Sequence, residues 1–260
     1  KVLIIAGSDS GGGAGIQADI KTVTVLGGYA STAITALTAQ NTLGVQAIEE
    51  VSCKFIQEQI KSVLTDIGAD AIKTGMLHSK EVIIAVSESL EKYAKNIPLV
   101  IDPVMVAKGG QKLLLDEAIS SLKDFLFPKS TIVTPNIPEA EILSGMKIET
   151  EDDMIKAGKI ILGLGANSVL MKGGHLNINS ESVTDILVTR SGIKKFSGTR
   201  IKSKNTHGTG CTLASAIAVY IGMGLNVEEA VEKARSYVSK AIATAKPIGK
   251  GHGPLNHLLA

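Results

Sequence analysis

The sequence predicts an α/β protein, a three-layer α/β/α sandwich with a mostly parallel central sheet, and three observations point to it. Strand-like and helix-like segments alternate along all 260 residues, the pattern of successive strand–helix–strand units. Hydrophobic residues make up 44% of the chain and aromatics only 3%, with no Trp. The core is therefore built from Val, Ile, Leu and Ala, which suits strands buried on both faces. No Pro/Ser-rich linker and no fixed-period repeat interrupts the alternation, so residues 1–260 read as one domain.

The elements follow in order. Lys1–Ala6 is an apolar run of strand length, followed by a Gly-rich turn and an amphipathic helix over Ala14–Leu26. Tyr29–Ala39, rich in Thr, Ile and Ala, predicts a second strand, and Val45–Ser52 a third, paired antiparallel at an edge. Apolar residues at Phe55, Ile56, Ile60, Val63, Leu64 and Ile67 have helical spacing. Ala69–Lys73 predicts a short strand, Lys80–Tyr93 a helix, and Leu99–Ile101 a buried strand. Thr131–Thr134 and Ser168–Lys172 are further strands, separated by helices at Pro138–Leu143 and Asp152–Leu164. Ser182–Thr189 and Gly192–Ser197 form a hairpin turning at Arg190 and Ser191. Helices over Thr209–Met223 and Val227–Ala245 close the chain, the latter begun by Asn226 and Glu229 in capping-box spacing.

Composition excludes several functions. A net charge of +2 without a basic run leaves nucleic-acid binding no electrostatic footprint. No apolar run approaches the ~18 residues of a membrane span, and the apolar start lacks the features of a signal peptide. Cys53 and Cys211 are too few for a zinc cluster. A cytoplasmic protein is the expectation.

Ligands of such sheets gather beyond the carboxyl ends of the strands, so the loops after Ala6, Ile101, Val133 and Met171 are the places to examine. Gly208 and Gly210 bracket Thr209 immediately before a helix. Glycines there let backbone approach a ligand, and a helix start presents unpaired N–H groups to an anion. Cys211 occupies the first turn, where the helix dipole favours a thiolate; a buried structural cysteine in a glycine turn is an equally good reading of that loop alone. Ala6–Asp19 carries five glycines and permits the same close approach. Gly13, Gly15 and Ala18 also fit the dinucleotide-binding fingerprint, but that pattern needs an acidic residue about 20 positions on, and none precedes Glu49. No phosphate-loop motif exists either, because Gly158-Lys159 and Gly249-Lys250 precede neither Ser nor Thr. Asp102, Asn136, Glu139 and Lys172 each follow an apolar strand; singly they read as turn or helix-start residues. Together at one sheet edge, two carboxylates and a lysine suit Mg²⁺ and ATP phosphates.

The runs GSDSGGGAGIQADIKT, ALTAQNT, KTGML, DPVM, TPNIPEAEIL, MKGGH and NTHGTGCTLASA, in this order between Gly7 and Ala216, resemble the hydroxymethylpyrimidine/phosphomethylpyrimidine kinases of thiamin biosynthesis, of the ribokinase-like superfamily. The resemblance implies a kinase that uses ATP and Mg²⁺, phosphorylates 4-amino-5-hydroxymethyl-2-methylpyrimidine and then its monophosphate, and forms a homodimer. It implies that Cys211 is the general base and that the amides of Gly208, Thr209 and Gly210 hold the charge on the transferred phosphoryl group. Gln40 would bond the aminopyrimidine in a pocket lined by Asp19, Gly7 and Met76. Glu139 would act on Mg²⁺ through water with Asp102 nearby, Asn136 would join the nucleotide side, and Lys172 would approach the ATP phosphates. The wider superfamily carries Asp at the position of Cys211, which leaves the strength of the thiol as a base open.

Three rival readings accompany this one. A pyridoxine/pyridoxal kinase acts on a similar hydroxymethyl group; Gln40 favours the pyrimidine, since an amide donates to a ring nitrogen and accepts from an amino group. A dinucleotide oxidoreductase would use Gly13, Gly15 and Ala18, and a binding protein would keep the pocket without turnover. His78, His252 and His257 lack ligand spacing and read as surface or turn residues, Cys53 reads as structural, and no role for His175 or His207 follows from sequence.

Overall fold

The computed structural model describes residues 1–106, 110, 113–176 and 180–259. Strand β1 (Val2–Asp9) leads into helix α1 (Gly15–Val25), then the hairpin β2 (Ala30–Asn41) and β3 (Gly44–Glu50). Helix α2 (Cys53–Asp66), β4 (Ala71–Thr74), α3 (Lys80–Tyr93) and β5 (Leu99–Ile101) follow. Next come α4 (Asp116–Ser121), continued by a π turn at Leu122–Leu126, then β6 (Ile132–Val133), α5 (Ile137–Ser144), α6 (Glu151–Gly163) and β7 (Ser168–Met171). The chain ends with β8 (Ser182–Thr189), β9 (Ile193–Thr199), α7 (Thr209–Gly222) and α8 (Val227–Ala243).

The nine strands form one sheet in the order β3-β2-β1-β4-β5-β6-β7-β8-β9. The pairings from β2 through β7 are parallel; β2–β3 at one edge and β7–β8–β9 at the other are antiparallel. Alternation of side chains along each strand divides the core in two. Leu3, Ile5, Leu99, Ile101, Val169 and Met171 face α2 to α6. Val2, Ile4, Ala6, Val100 and Leu170 face α1, α7 and α8. The expected three layers are present, and β3 lies at the edge where the sequence put it.

Helix starts obey local chemistry. Asn136 caps α5, Thr150 caps α6 and Asn226 caps α8, each in a reciprocal capping box. The sequence reading omitted α4, although Ala118, Leu122 and Leu126 are buried at helical spacing. The hairpin turn includes Gly192, with β9 starting one residue later than expected and running to Thr199. Among the described residues no helix is long and apolar enough to cross a membrane.

Candidate active site

The parallel strands aim their carboxyl ends at one rim, and α7 begins there. A cavity of about 440 Å³ opens at that rim; Gly7, Gln40, Met76, Asp102, Asn136, Glu139, Lys172, Gly208, Thr209, Gly210 and Cys211 all line it. The structure thus brings together every expected site residue except Asp19. A second groove of about 800 Å³ shares Asn136, Lys172, His175, Thr206, Thr209 and Gly210 with the first. Its far side combines apolar Val183, Leu213, Val238 and Ile242 with basic Arg200, Lys202 and Lys204.

The start of α7 is the wall between the two. Gly208, its N-cap, has φ 82°, the left-handed conformation that glycine adopts without strain. A Cβ there would collide with the Gly13 carbonyl, which packs the loop after β1 directly under α7. A Cβ on Gly210 would lie 3.3 Å from Lys172 Nζ and 3.5 Å from Asp102 Oδ2, so glycine lets the first turn approach that ion pair. The helix bonds begin with Thr212 N–H donating to Gly208 O at 2.9 Å. The Gly210 and Cys211 amides therefore have no intrahelical acceptor and are available to an anion.

Lys172 Nζ lies 2.9 Å from Asp102 Oδ1 and 3.9 Å from Glu139 Oε2. Burial works against the Lys172 charge, but Asp102 and Glu139 hold its ammonium above the usual lysine range. Glu139 Oε2 also accepts from Asn136 N at 2.8 Å, while Asn136 Oδ1 accepts from Glu139 N at 2.9 Å. These two residues form the start of α5 and also line the cavity. Burial pushes Glu139 up to about 7; Lys172 opposes the rise and Asp102 adds to it. A hard cation beside two carboxylates would relieve this, so the pair fits Mg²⁺ completed by phosphate and water oxygens.

Two expectations are corrected. Asp19 is completely buried and does not line the cavity. It shares a helix face with Ile16, Thr22 and Val23, and its carboxylate accepts from Lys73 Nζ at 2.8 Å and Ser215 Oγ at 2.7 Å. Lys73, equally buried, does line the cavity. Burial would strip its proton, but the carboxylates of Asp19 and Asp102 keep it charged. Cys211 is the second correction. Burial pushes its thiol up to about 12, outweighing the help of Lys73 and of an N–H bond from Gly15. The thiol is therefore the main form at neutral pH, against the thiolate expected from the helix start.

The sequence reading also missed Asp9, whose carboxylate accepts from Gly11 N (2.8 Å), Gly13 N (3.1 Å) and Ala14 N (2.8 Å) and thereby shapes the glycine loop. His207 Nε2 lies 2.9 Å from Asp9 Oδ2. The Gln40 carboxamide sits between His207 Nε2 at 3.3 Å and Thr38 Oγ1 at 3.1 Å. A register shift between Ala39 and Gln40 in the β2–β3 ladder is the kind of irregularity that re-aims a side chain. His257 does lie in a turn, but it is buried there rather than at the surface, bonded to Thr212 Oγ1 at 3.1 Å, and burial lowers its imidazole to about 4. His78 does occupy a turn, with φ 66°, and Cys53 packs against the core as expected.

Fold and site define a ribokinase-like small-molecule kinase, with a helix start between a pocket and a groove. The family model for phosphomethylpyrimidine kinase matches residues 9–256, and the chain belongs to that family. It is 53% identical over 259 residues to a thiamine biosynthesis bifunctional protein of Geobacter sulfurreducens, covering 100% of this chain and 52% of that protein. The chain thus spans about half the length of that relative. The crystal structure of a Clostridium difficile phosphomethylpyrimidine kinase is 47% identical, with TM-score 0.81, over 93% of this chain and 98% of that one. An ADP complex of Bacillus subtilis pyridoxal kinase is 36% identical with TM-score 0.91, over 98% of this chain and 96% of that one.

Proposed function

We propose that the chain transfers the γ-phosphoryl group of ATP to the hydroxymethyl group of 4-amino-5-hydroxymethyl-2-methylpyrimidine, and then phosphorylates the monophosphate to the diphosphate, in thiamin biosynthesis. The observation that carries this reading is the α7 start, whose unpaired amides form the shared wall of two sites of different character. On one side Gln40 and Met76 offer a polar edge and an apolar face to a small ring. On the other, apolar and basic side chains suit a nucleotide base and its phosphates. Phosphoryl transfer asks mainly for positioning and charge stabilisation.

Mg-ATP would supply the phosphoryl group and a divalent cation to offset its charge. Glu139 would hold that cation through water, Asp102 orients Lys172, and Lys172 with the Gly208–Cys211 turn holds the charge of the moving phosphoryl group. The Cys211 thiolate, the minor form that Lys73 beneath the cavity stabilises, receives the proton of the attacking hydroxyl. We further propose that the chain acts as one domain, as a homodimer, in the cytoplasm.

A second reading, pyridoxine phosphorylation, is favoured by the higher TM-score to the pyridoxal kinase. That score measures backbone shape, whereas the identity of side chains is greater to the phosphomethylpyrimidine kinase. Titration calorimetry tests the two ends separately. Gln40→Ala should weaken pyrimidine binding by about tenfold to a hundredfold, the effect of losing a hydrogen bond worth ~1–3 kcal/mol, and leave Mg-ATP binding unchanged. Glu139→Ala should do the reverse. Unchanged pyrimidine affinity in Gln40→Ala would remove Gln40 from the site.

A further inference from the structure

Gln40 by itself selects nothing. A carboxamide has nearly the same shape with its oxygen and nitrogen exchanged, so its neighbours decide which end donates. Asp9 is buried at 2% exposure, and as a carboxylate it only accepts. His207 Nε2, 2.9 Å from Asp9 Oδ2, must therefore carry the proton. A nitrogen that carries a proton cannot also accept, so the Gln40 atom 3.3 Å from it has to be the oxygen. With the carboxamide nitrogen placed on that side, two donors would face each other. The far end agrees: the single Thr38 hydroxyl proton is given to Ser8 O at 2.9 Å, so the Gln40 atom 3.1 Å away has to be a donor. One orientation satisfies both ends, and the other satisfies neither.

We propose that Asp9 and His207 are specificity-determining residues: they lock the Gln40 carboxamide with its oxygen toward His207 and its nitrogen toward Thr38, and so select a 4-aminopyrimidine over the corresponding 4-oxopyrimidine. The proposal rests on the reading that Gln40 faces the substrate ring. A 4-aminopyrimidine presents an amino N–H beside a bare ring nitrogen, the complement of the carboxamide's remaining lone pair and N–H. The 4-oxo compound presents a carbonyl beside a ring N–H, the reverse pattern. The ring cannot turn over to compensate, because its hydroxymethyl group must reach Cys211. Accepting the 4-oxo ring requires rotating the carboxamide, which breaks its bonds to His207 and Thr38 and sets donor against donor. Burying mismatched polar groups is what gives enzymes large discrimination ratios.

Asp9 is itself fixed by three backbone amides of the glycine loop. His207 is fixed from behind, its backbone N–H donating to Gly253 O at 3.0 Å and its ring packing over Gly13. The donor is therefore held by the same loop that docks α7. This also gives a role to the histidine of the NTHGTGC run.

The test compares kcat/KM for the 4-amino and 4-oxo hydroxymethylpyrimidines in His207→Leu and His207→Gln. Leu removes the donor, and the amino/oxo preference should fall by about tenfold or more, chiefly through KM. Gln carries an amide N–H that can reach Asp9, and it should restore much of the preference. A His207→Leu enzyme that loses both activities in equal proportion would overturn the proposal and leave His207 a structural residue. Nitrogen-15 NMR of the unliganded wild-type protein gives a second answer that needs neither folded variants nor substrate. His207 should be protonated at Nε2; a bare Nε2 would overturn the proposal even if Gln40→Ala had already placed Gln40 in the site.

Discussion

At the scale of single residues, burial decides what the sequence left open. A cysteine in the first helical turn reads as a thiolate, yet the Cys211 thiol is pushed up to about 12 by its surroundings. Alkylation of Cys211 in the unliganded protein should accordingly be slow at pH 7 and rise about tenfold per pH unit toward pH 10, following the thiolate fraction. A rate that levels off near pH 7 would mean that Lys73 and the helix start outweigh burial. Cys211→Ala should fold and bind pyrimidine but lose ~10²–10⁴-fold in single-turnover rate, the usual range for a removed acid–base group.

Asp19 shows why some roles were not legible. Glycine-rich loop and acidic residue suggested a pocket, but Asp19 falls three residues from Ile16 and four from Val23, the buried stripe of α1. That spacing was readable, and it identifies a structural partner for Lys73. Lys73→Met should cost about 3–5 kcal/mol in denaturant unfolding, because it strands a buried carboxylate; an unchanged midpoint would show that Asp19 is not charged. Glu139 carries a pH signature. Its folded value, about 7, lies above the ordinary 4.5, so the folded state binds the extra proton between these values. Stability without ligands should be greatest below pH 4.5 as far as this group is concerned, and decline as pH rises through about 7. Glu139→Gln should flatten that decline in melting curves taken between pH 5 and 8, and an equal decline in both proteins would assign it to another group.

At the scale of elements, the strands and long helices were legible from period and length. Lys80–Tyr93 and Leu99–Ile101 occur where the sequence placed them, and other boundaries move by a residue or two, except that β1 runs three residues past Ala6 to Asp9. Helix α4 was missed because its six residues fall short of the window in which periodicity speaks; its buried stripe continues only through the π turn. The loop that matters most, between β9 and α7, was legible in its glycines but not in its contacts. Gly208 needs glycine for two separate reasons, its φ of 82° and the Gly13 carbonyl where a side chain would go. Gly208→Ala should therefore lower stability by ~1–3 kcal/mol through backbone strain and displace the α7 start enough to depress turnover with every alcohol supplied. Normal turnover in that variant would show that the loop tolerates a shift.

For the whole molecule, the sheet does one thing for function: its parallel strands deliver Asp9, Asp102, Asn136 and Lys172 to one rim from positions up to 163 residues apart, from Asp9 to Lys172. The family was legible because its motifs lie at strand ends and the α7 start. What sequence did not carry was which of those residues face the cavity, because that depends on strand register and helix rotation. The Geobacter sulfurreducens relative carries about as much chain again, so the activity of the whole protein is a matter for assay. The most direct measurement is ATP consumption with 4-amino-5-hydroxymethyl-2-methylpyrimidine, its monophosphate and pyridoxine side by side, with products followed by phosphorus NMR. ADP should be released with the pyrimidine and with its monophosphate, a phosphomonoester appearing first and a diphosphate after it, and pyridoxine should turn over much more slowly. Faster consumption with pyridoxine than with either pyrimidine would contradict the proposed function.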